Sequence, residues 1–345
     1  MSSTRLSIDL NALAANYRAL QARQPQAEIA PVVKADAYGL GAERIAAHLA
    51  RLGAKTFFVA RRDEGVHLRA RLGIGPVIYV LDGLDDPAVF EAHDLSPVLN
   101  TATQVGLWRQ VPSLRAALHI DTGMNRLGVR PDELASLPKT PAFSLVMSHL
   151  ACADTPANPM NTAQLAAFRE AAASLPAAPL SLANSAGAFL GPDYGFDVVR
   201  PGISLYGGGP YGVPHPDIVP VATLEARVLQ VRDLKAGESV GYGATFTAPR
   251  DTRLATVGLG YADGLLRSFA NQGTAIVKGE KRPLGGRISM DAFSINISDL
   301  DVKVDDWVEL FGANQSLDDV AAASGTLAYE CLTRIGPRVE RRYIG

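Results

Sequence analysis

The sequence predicts an α/β chain, with a (β/α)8 barrel of the TIM type over residues 1–217 and a mainly β domain over residues 218–345. Three observations lead there. Short β-branched runs alternate with longer helix-period segments through the first two-thirds of the chain, the pattern of a parallel sheet with crossover helices. Eight such runs occur, and eight strands in that arrangement close a barrel. After YGGGPYGVPHPDIVP, residues 206–220, the helical spacing stops and short strands separated by turns take over.

In chain order, the barrel strands fall near Ile29–Val33, Thr56–Val59, Val77–Leu81, Ser96–Leu99, Arg115–Ile120, Phe143–Met147, Pro179–Leu182 and Asp197–Val199. Helix-period segments lie between most of them: Gly41–Leu52, Glu64–Leu72, Thr101–Trp108 and Asn161–Ser174. A doubly wound open sheet is the alternative that the same alternation allows. Gly and Pro crowd residues 206–220, which read as an interdomain linker. Beyond it, Thr223–Val231, Arg253–Leu259, Thr274–Val277, Ser294–Ile297 and Trp307–Leu310 read as strands, and Leu317–Ala323 as a short helix with Ser316 as its N-cap.

Bulk properties narrow the function. Lys plus Arg number 33 against 35 Asp plus Glu, a net charge of −2, so no basic face for nucleic acid is implied. No apolar run approaches the roughly 18 residues of a membrane span. The N-terminus enters an amphipathic pattern directly, so no signal peptide is expected. Cys152 and Cys331 are the only cysteines, and nothing in their settings suggests a disulfide, so a cytoplasmic location is expected.

The chemistry sits at the strand ends. Lys34, in VVKADAYGLG, directly follows an apolar strand, where a barrel mounts catalytic groups and burial can turn an ammonium into a usable amine. Alone, a lysine at a loop edge is more often simply solvated. The other ends change that reading. His119 and then Arg126 follow the fifth strand, His149 ends the sixth, Asn184 and Ser185 follow the seventh, and Arg200 ends the eighth. In a barrel they converge on one mouth. Ser185 with Gly187, and Gly202-Ile203-Ser204, add small residues after strands seven and eight, where barrels bind phosphate through backbone N–H groups. A lysine opposite a phosphate cup is what pyridoxal 5'-phosphate requires. His149-x-x-Cys152 is too little for a metal site, and no metal is expected. Asp63 and Glu64 read as solvated charge.

The motifs VVKADAYGLG, IDTGMNRLG, ANSAG, VRPGISLYG, VGYGATF, GYADGLLR and GGRISMD stand in an order that closely resembles the alanine racemase family over nearly the full length. The resemblance implies a pyridoxal-phosphate isomerase that interconverts L- and D-alanine by two-base proton transfer and supplies D-alanine for peptidoglycan. It also implies a homodimer whose β domains complete the partner's active site. By the same resemblance Lys34 carries the cofactor as an imine and is one base, and Tyr242, delivered from the partner subunit, is the other. Arg200 is similar to the arginine facing the pyridine nitrogen, and His149 to the histidine beside the ring. Tyr38, Asn184, Ser185, Gly202, Ile203 and Tyr329 match cofactor-binding positions, the phosphate anchors among them. Arg126 and the partner's Met290 match substrate-binding positions, and Tyr261, Arg267 and Asp291 line the entrance in relatives. Arginine keeps its proton at working pH, so a pyridine nitrogen facing Arg200 stays largely unprotonated, which weakens the electron sink and disfavours transamination and decarboxylation. A racemase of broader specificity and a non-catalytic cofactor carrier are the alternatives, and the β domain with Tyr242 argues against the carrier.

One position departs from the pattern. Seven residues before Arg126, relatives usually carry a lysine modified to a carbamate, and here His119 stands. An anion or a neighbouring carboxylate is expected in the space of that missing negative group.

Overall fold

The computed structural model describes residues 3–137 and 142–345. They divide into two compact units, Ala14–Leu205 and Met1–Leu13 with Tyr206–Gly345.

The first strand, β1 (Thr4–Asp9), belongs to the second of these units. The other unit holds the barrel strands: β2 (Glu28–Ile29), β3 (Thr56–Val59), β4 (Val77–Val80), β5 (Ser96–Leu99), β6 (Ala117–His119), β7 (Leu145–Met147), β8 (Leu180–Ser181) and β9 (Val198–Val199). Strands β3 to β8 form one parallel sheet in sequence order, and β2 pairs in parallel with β9. Two seams close the ring. Val32 bridges Phe58 on one side, with the Val33 amide donating to the Phe58 carbonyl at 2.8 Å. On the other side the Asp197 amide donates to Leu180 at 3.0 Å and the Arg200 amide to Ala183 at 2.9 Å. Eight parallel strands bonded all the way round exclude the open-sheet alternative. The strands are shorter than the sequence suggests at both seams, because the bonds that close them are single bridges rather than long ladders.

The crossover helices start where their caps dictate. Thr101 accepts from the Gln104 amide at 3.1 Å, and Asn158 from the Met160 amide at 2.9 Å with Pro159 in the first turn, so the last large helix is Pro159–Ala173.

In the other unit, β10 (Ala222–Leu234) alternates buried and half-exposed side chains along most of its length and is the sheet's central strand. It is followed by β11 (Ser239–Val240), β12 (Phe246–Thr247), β13 (Thr252–Val257), β14 (Thr274–Val277), β15 (Glu280–Pro283), β16 (Phe293–Asn296), β17 (Trp307–Phe311) and β18 (Glu340–Ile344). The sheet runs β15-β14-β17-β10-β1-β18, with β13 joining β10 to β16, while β11 and β12 form a separate hairpin. The helix Leu317–Ser324 is capped by Ser316, as the sequence predicts, with Asp319 donating at 3.0 Å. Residues 208–210 differ from a free linker: they are buried, and the Gly209 amide donates to the Asp318 carboxylate at 2.8 Å. A backbone donor buried there needs an acceptor, and a side chain more than a hundred residues away provides it.

Candidate active site

Lys34 leaves the barrel at the end of the first seam. The next four residues, Ala35, Asp36, Ala37 and Tyr38, all take left-handed backbone with φ between 51° and 59°. None is glycine, so each costs roughly 1–2 kcal/mol that neighbouring contacts must offset. The Ala37 amide donates back to Val33 at 2.9 Å, and Asp36 accepts from the Ala42 amide at 2.7 Å. Glu64 accepts from the Ala35 amide at 2.7 Å through one oxygen, and from Ala60 at 2.8 Å and Arg61 at 3.1 Å through the other. Glu64 is therefore not the solvated surface acid expected from the sequence. It opens the helix Arg62–Leu72 and ties the residue after Lys34 to that helix. Lys34 itself is half-buried, and burial lowers its pKa, helped by the positive charge of Arg126 and opposed by Glu64 and Asp82.

Arg200, 3% exposed, lies in the barrel mouth. Its guanidinium donates to Ser181 Oγ, to the Ser148 carbonyl at 2.6 Å and to the Leu182 carbonyl at 3.4 Å, with Nη2 also 3.3 Å from His149 Nδ1. Burial pulls its pKa to about 9, which leaves it charged at neutral pH. A guanidinium offers only donors, so Nδ1 of His149 is the acceptor. Burial first and the charge of Arg200 second hold His149 well below the ordinary imidazole range, so it is neutral with its proton on Nε2.

On the other side of the mouth, Ser185 Oγ accepts from the amides of Gly202 at 2.9 Å and Ser204 at 3.3 Å, which folds the loops after β8 and β9 onto each other. A Cβ on Gly202 would lie 2.1 Å from the hydroxyl oxygen of Tyr38. Only a glycine lets that buried tyrosine reach the cup. Ile203 opens the 3-10 turn Ile203–Tyr206, whose leading N–H groups have no carbonyl within the turn. Asn184 Oδ1 accepts from the Gly187 amide at 2.9 Å and shapes the same loop.

His119 ends β6 and is 7% exposed. Its Nδ1 lies 2.8 Å from Asn100 Oδ1. The hydrogen-bonding partner of His119 Nδ1 is thus a carboxamide rather than a carboxylate, and the expectation of an anion beside Arg126 is a separate one. Burial, with Arg200 as second cause, lowers the imidazole pKa to about 4. Arg126 is exposed on a loop closed at its base by Val129, whose amide donates to the His119 carbonyl at 2.8 Å.

The depressed histidines set a pH dependence. An unfolded imidazole titrates near 6.5, whereas His119 in the fold resists protonation down to about 4. Between those values the unfolded chain binds more protons, so stability is full above about pH 6.5 and falls as pH drops through the window. For His119 alone this amounts to roughly 3 kcal/mol. Urea unfolding of the cofactor-free protein at pH 7.5 and pH 4.5 is expected to show that decline, and His119→Gln should flatten part of it.

The remaining sequence-predicted residues belong to the unit Met1–Leu13 with Tyr206–Gly345. Tyr242 opens a 3-10 turn at the tip of the β11–β12 hairpin, between Gly241 at φ 73° and Gly243 at φ 75°, and is 73% exposed. Those positive φ values require the glycines of GYG. The amides of Tyr261 and Ala262 donate to the carbonyls of Ser289 (3.1 Å) and Met290 (3.0 Å), so Tyr261, Met290 and Asp291 share one cluster. Arg338 fastens it, with Nε 3.0 Å from buried Asp263 and Nη1 2.8 Å from Asp291. Arg267 starts the turn Arg267–Asn271 and is exposed, and Tyr329 lies on the helix Ala328–Thr333.

These side chains can hold pyridoxal phosphate. Its phosphate is matched by the glycine cradle under Tyr38 and the start of the Ile203 turn, its carbonyl carbon by a half-buried lysine of lowered pKa, and its negative charge by Arg200 and Arg126. Among the described residues no group of three or more His, Cys, Asp or Glu side chains is placed to hold a metal ion.

Sequence reasoning missed Glu64, Asn100, Ser148 and Ser181. Asn100 follows β5, the fourth barrel strand, and the same strand-end logic that found His119 could have found it.

Known proteins resemble the chain over its whole length. The family described as "Alanine racemase, N-terminal domain" matches residues 8–210, and "Alanine racemase, C-terminal domain" matches residues 221–343. The alanine racemase of Rhizobium meliloti (strain 1021) is 44% identical over 370 residues, covering 100% of this chain and 97% of that protein. The biosynthetic alanine racemase of Agrobacterium fabrum is 43% identical, covering 99% and 93%. Among solved structures, alanine racemase from Bartonella henselae with covalently bound pyridoxal phosphate superposes with a TM-score of 0.94 at 40% identity, covering all of both chains. The biosynthetic alanine racemase from Pseudomonas aeruginosa gives 0.94 at 36%, again over both whole chains.

Proposed function

The chain belongs to the alanine racemase family, and on that premise we propose that it interconverts L- and D-alanine as a pyridoxal-phosphate enzyme, with Lys34 and the partner subunit's Tyr242 as the opposed bases. The observation that carries the reading is the barrel mouth, where Lys34 of lowered pKa, the buried Arg200–His149 pair and the Tyr38–Gly202 cradle occupy strand ends of one closed barrel. When bound, the cofactor supplies an electron sink that makes the α-proton of alanine removable.

The protein's part is orientation and proton handling. Racemisation needs a proton taken from one face of Cα and returned to the other. The Lys34 amine, whose pKa burial and Arg126 lower, takes or gives the proton on its face. The Tyr242 hydroxyl, carried bare on a hairpin tip, serves the opposite face in the partner. Arg200, fixed by two carbonyls and Ser181, would present its cation to the ring nitrogen of the bound cofactor and disfavour a proton there. His149 Nε2–H is left as a donor towards the mouth. Arg126 and the partner's Met290 receive the substrate carboxylate, while Tyr261, Arg267 and Asp291 line its way in.

A homodimer follows from this assignment, with residues 218–345 completing the partner's site. The bare Tyr242 (73%), Met290 (52%) and Leu327 (60%) are the kind of side chains such an interface covers. We place the enzyme in the cytoplasm, making D-alanine for peptidoglycan. Free thiols at Cys152 and Cys331 suit a reducing compartment, and no helix among the described residues is long and apolar enough to cross a membrane. One experiment tests the whole. Purified protein incubated with L-alanine should yield equal L and D forms by chiral chromatography, and borohydride should fix the cofactor on the Lys34 peptide. A label on any other lysine, or no D-alanine, refutes the assignment.

A further inference from the structure

We propose that Asn100 is a positioning residue that locks His119 as a neutral hydrogen-bond acceptor, which leaves its Nε2 open to a donor such as the Arg126 guanidinium rather than to an anion. The argument starts from the carboxamide. Two backbone carbonyls, Leu81 at 2.9 Å and Val98 at 3.0 Å, accept from Asn100 Nδ2. Carbonyls accept only, so this end of the side chain is the NH2 group and the other is oxygen. That oxygen lies 2.8 Å from His119 Nδ1, which must therefore carry the proton. The ring has no second proton to offer. It is buried among the positive charges of Arg200 and Arg126, which disfavour imidazolium, and only Asp121 opposes them. A neutral ring protonated on Nδ1 has a bare lone pair on Nε2.

No other side chain or backbone group among the described residues hydrogen-bonds to the His119 ring, so Nε2 is left for a donor. Arg126, whose charge acts on the ring, is the donor we assign. Its loop is tied to the His119 backbone itself through Val129, and Asp121 Oδ1 caps the loop from within by accepting from the amides of Gly123 (3.0 Å) and Asn125 (3.1 Å). A bare lone pair repels an anion, so on this proposal no small anion occupies the place beside it. His149 next to it has the opposite tautomer, imposed by Arg200. The mouth thus holds two neutral imidazoles, one accepting and one donating, each fixed by a different neighbour.

The test is made on the holoenzyme labelled with 15N-histidine, His119 being assigned by the signal lost in His119→Gln. At pH 7, long-range 1H–15N spectra should show a pyrrole-type Nδ1 and a pyridine-type Nε2 for His119. A protonated Nε2 overturns the proposal. Exchanging chloride for gluconate at constant ionic strength should leave racemisation unchanged, and stimulation by chloride overturns it too. Asn100→Asp keeps the side-chain volume but removes the donor to the Leu81 and Val98 carbonyls, so its folding is verified first by its urea midpoint. A carboxylate beside Nδ1 should bring the second proton onto the ring and turn Nε2 into a donor. KM for alanine should then rise about tenfold with kcat changed less than about threefold. An unaltered ring spectrum and KM in that variant would remove Asn100 from the role. The KM arm rests on the racemase reading, whereas the spectrum is recorded without substrate and stands or fails independently of it.

Discussion

Lys34→Ala is expected to lower racemisation in both directions by more than about 10⁴-fold, because on the proposed assignment one substitution deletes a base and the covalent anchor of the cofactor. Tyr242→Phe should cost about 10²–10⁴-fold, the usual range for a lost acid–base group, while leaving the cofactor attached. The two variants also test where the groups come from. If each active site takes its lysine from one protomer and its tyrosine from the partner, co-refolded Lys34→Ala and Tyr242→Phe chains form heterodimers in which one of two sites holds both native residues. Activity should return to about half the wild-type value per heterodimer. Proven heterodimers without activity would mean that lysine and tyrosine act from the same chain.

Gly202→Ala carries the second large effect. The added methyl would sit 2.1 Å from the Tyr38 hydroxyl oxygen and 2.7 Å from Cζ, and Tyr38 is only 6% exposed with its backbone committed to the left-handed turn. Neither side can retreat cheaply. Overpacking of this kind costs about 1–3 kcal/mol, so cofactor affinity measured by equilibrium dialysis should fall by about tenfold to a hundredfold. The double variant Gly202→Ala/Tyr38→Ala should bind the cofactor no more weakly than Tyr38→Ala alone, because the clash has then been removed. Additive losses in that cycle would show that the methyl harms the cup by another route.

The barrel was legible because its signals are periodic. Alternating runs and helices between Ile29 and Val199 fix the strand count, and the strand ends locate Lys34, His149 and Arg200 without any distance being known. What escaped is what depends on partners remote in sequence. Glu64 reads as one more acid in RRDEG, and only the fold reveals that its carboxylate collects three amides, one of them 29 residues upstream. Asn100 reads as the polar residue after a strand, and its meaning comes from two carbonyls and a histidine on three different segments. Strand β1 escaped because its pairing partners, β10 and β18, lie more than two hundred residues away, and β18 itself carries the charged run ERR. Residues 206–220 have the composition of a tether, yet the buried Asp318 draws Gly209 into the second unit.

The left-handed turn after Lys34 has a meaning for anyone who would engineer this protein. Four consecutive L-residues stand where glycine would be more at ease, and by the usual stabilisation rules Ala35 and Ala37 are obvious places to relieve strain. Yet the strained backbone leads directly from the lysine into the tyrosine that sits on Gly202, so its conformation sets the separation of the two. A glycine there would relax the chain and loosen that spacing together. If Lys34 carries the cofactor as proposed, thermal robustness and catalytic geometry are set against each other within four residues, and a screen that selects on melting temperature alone would favour variants whose lysine is displaced from the cup.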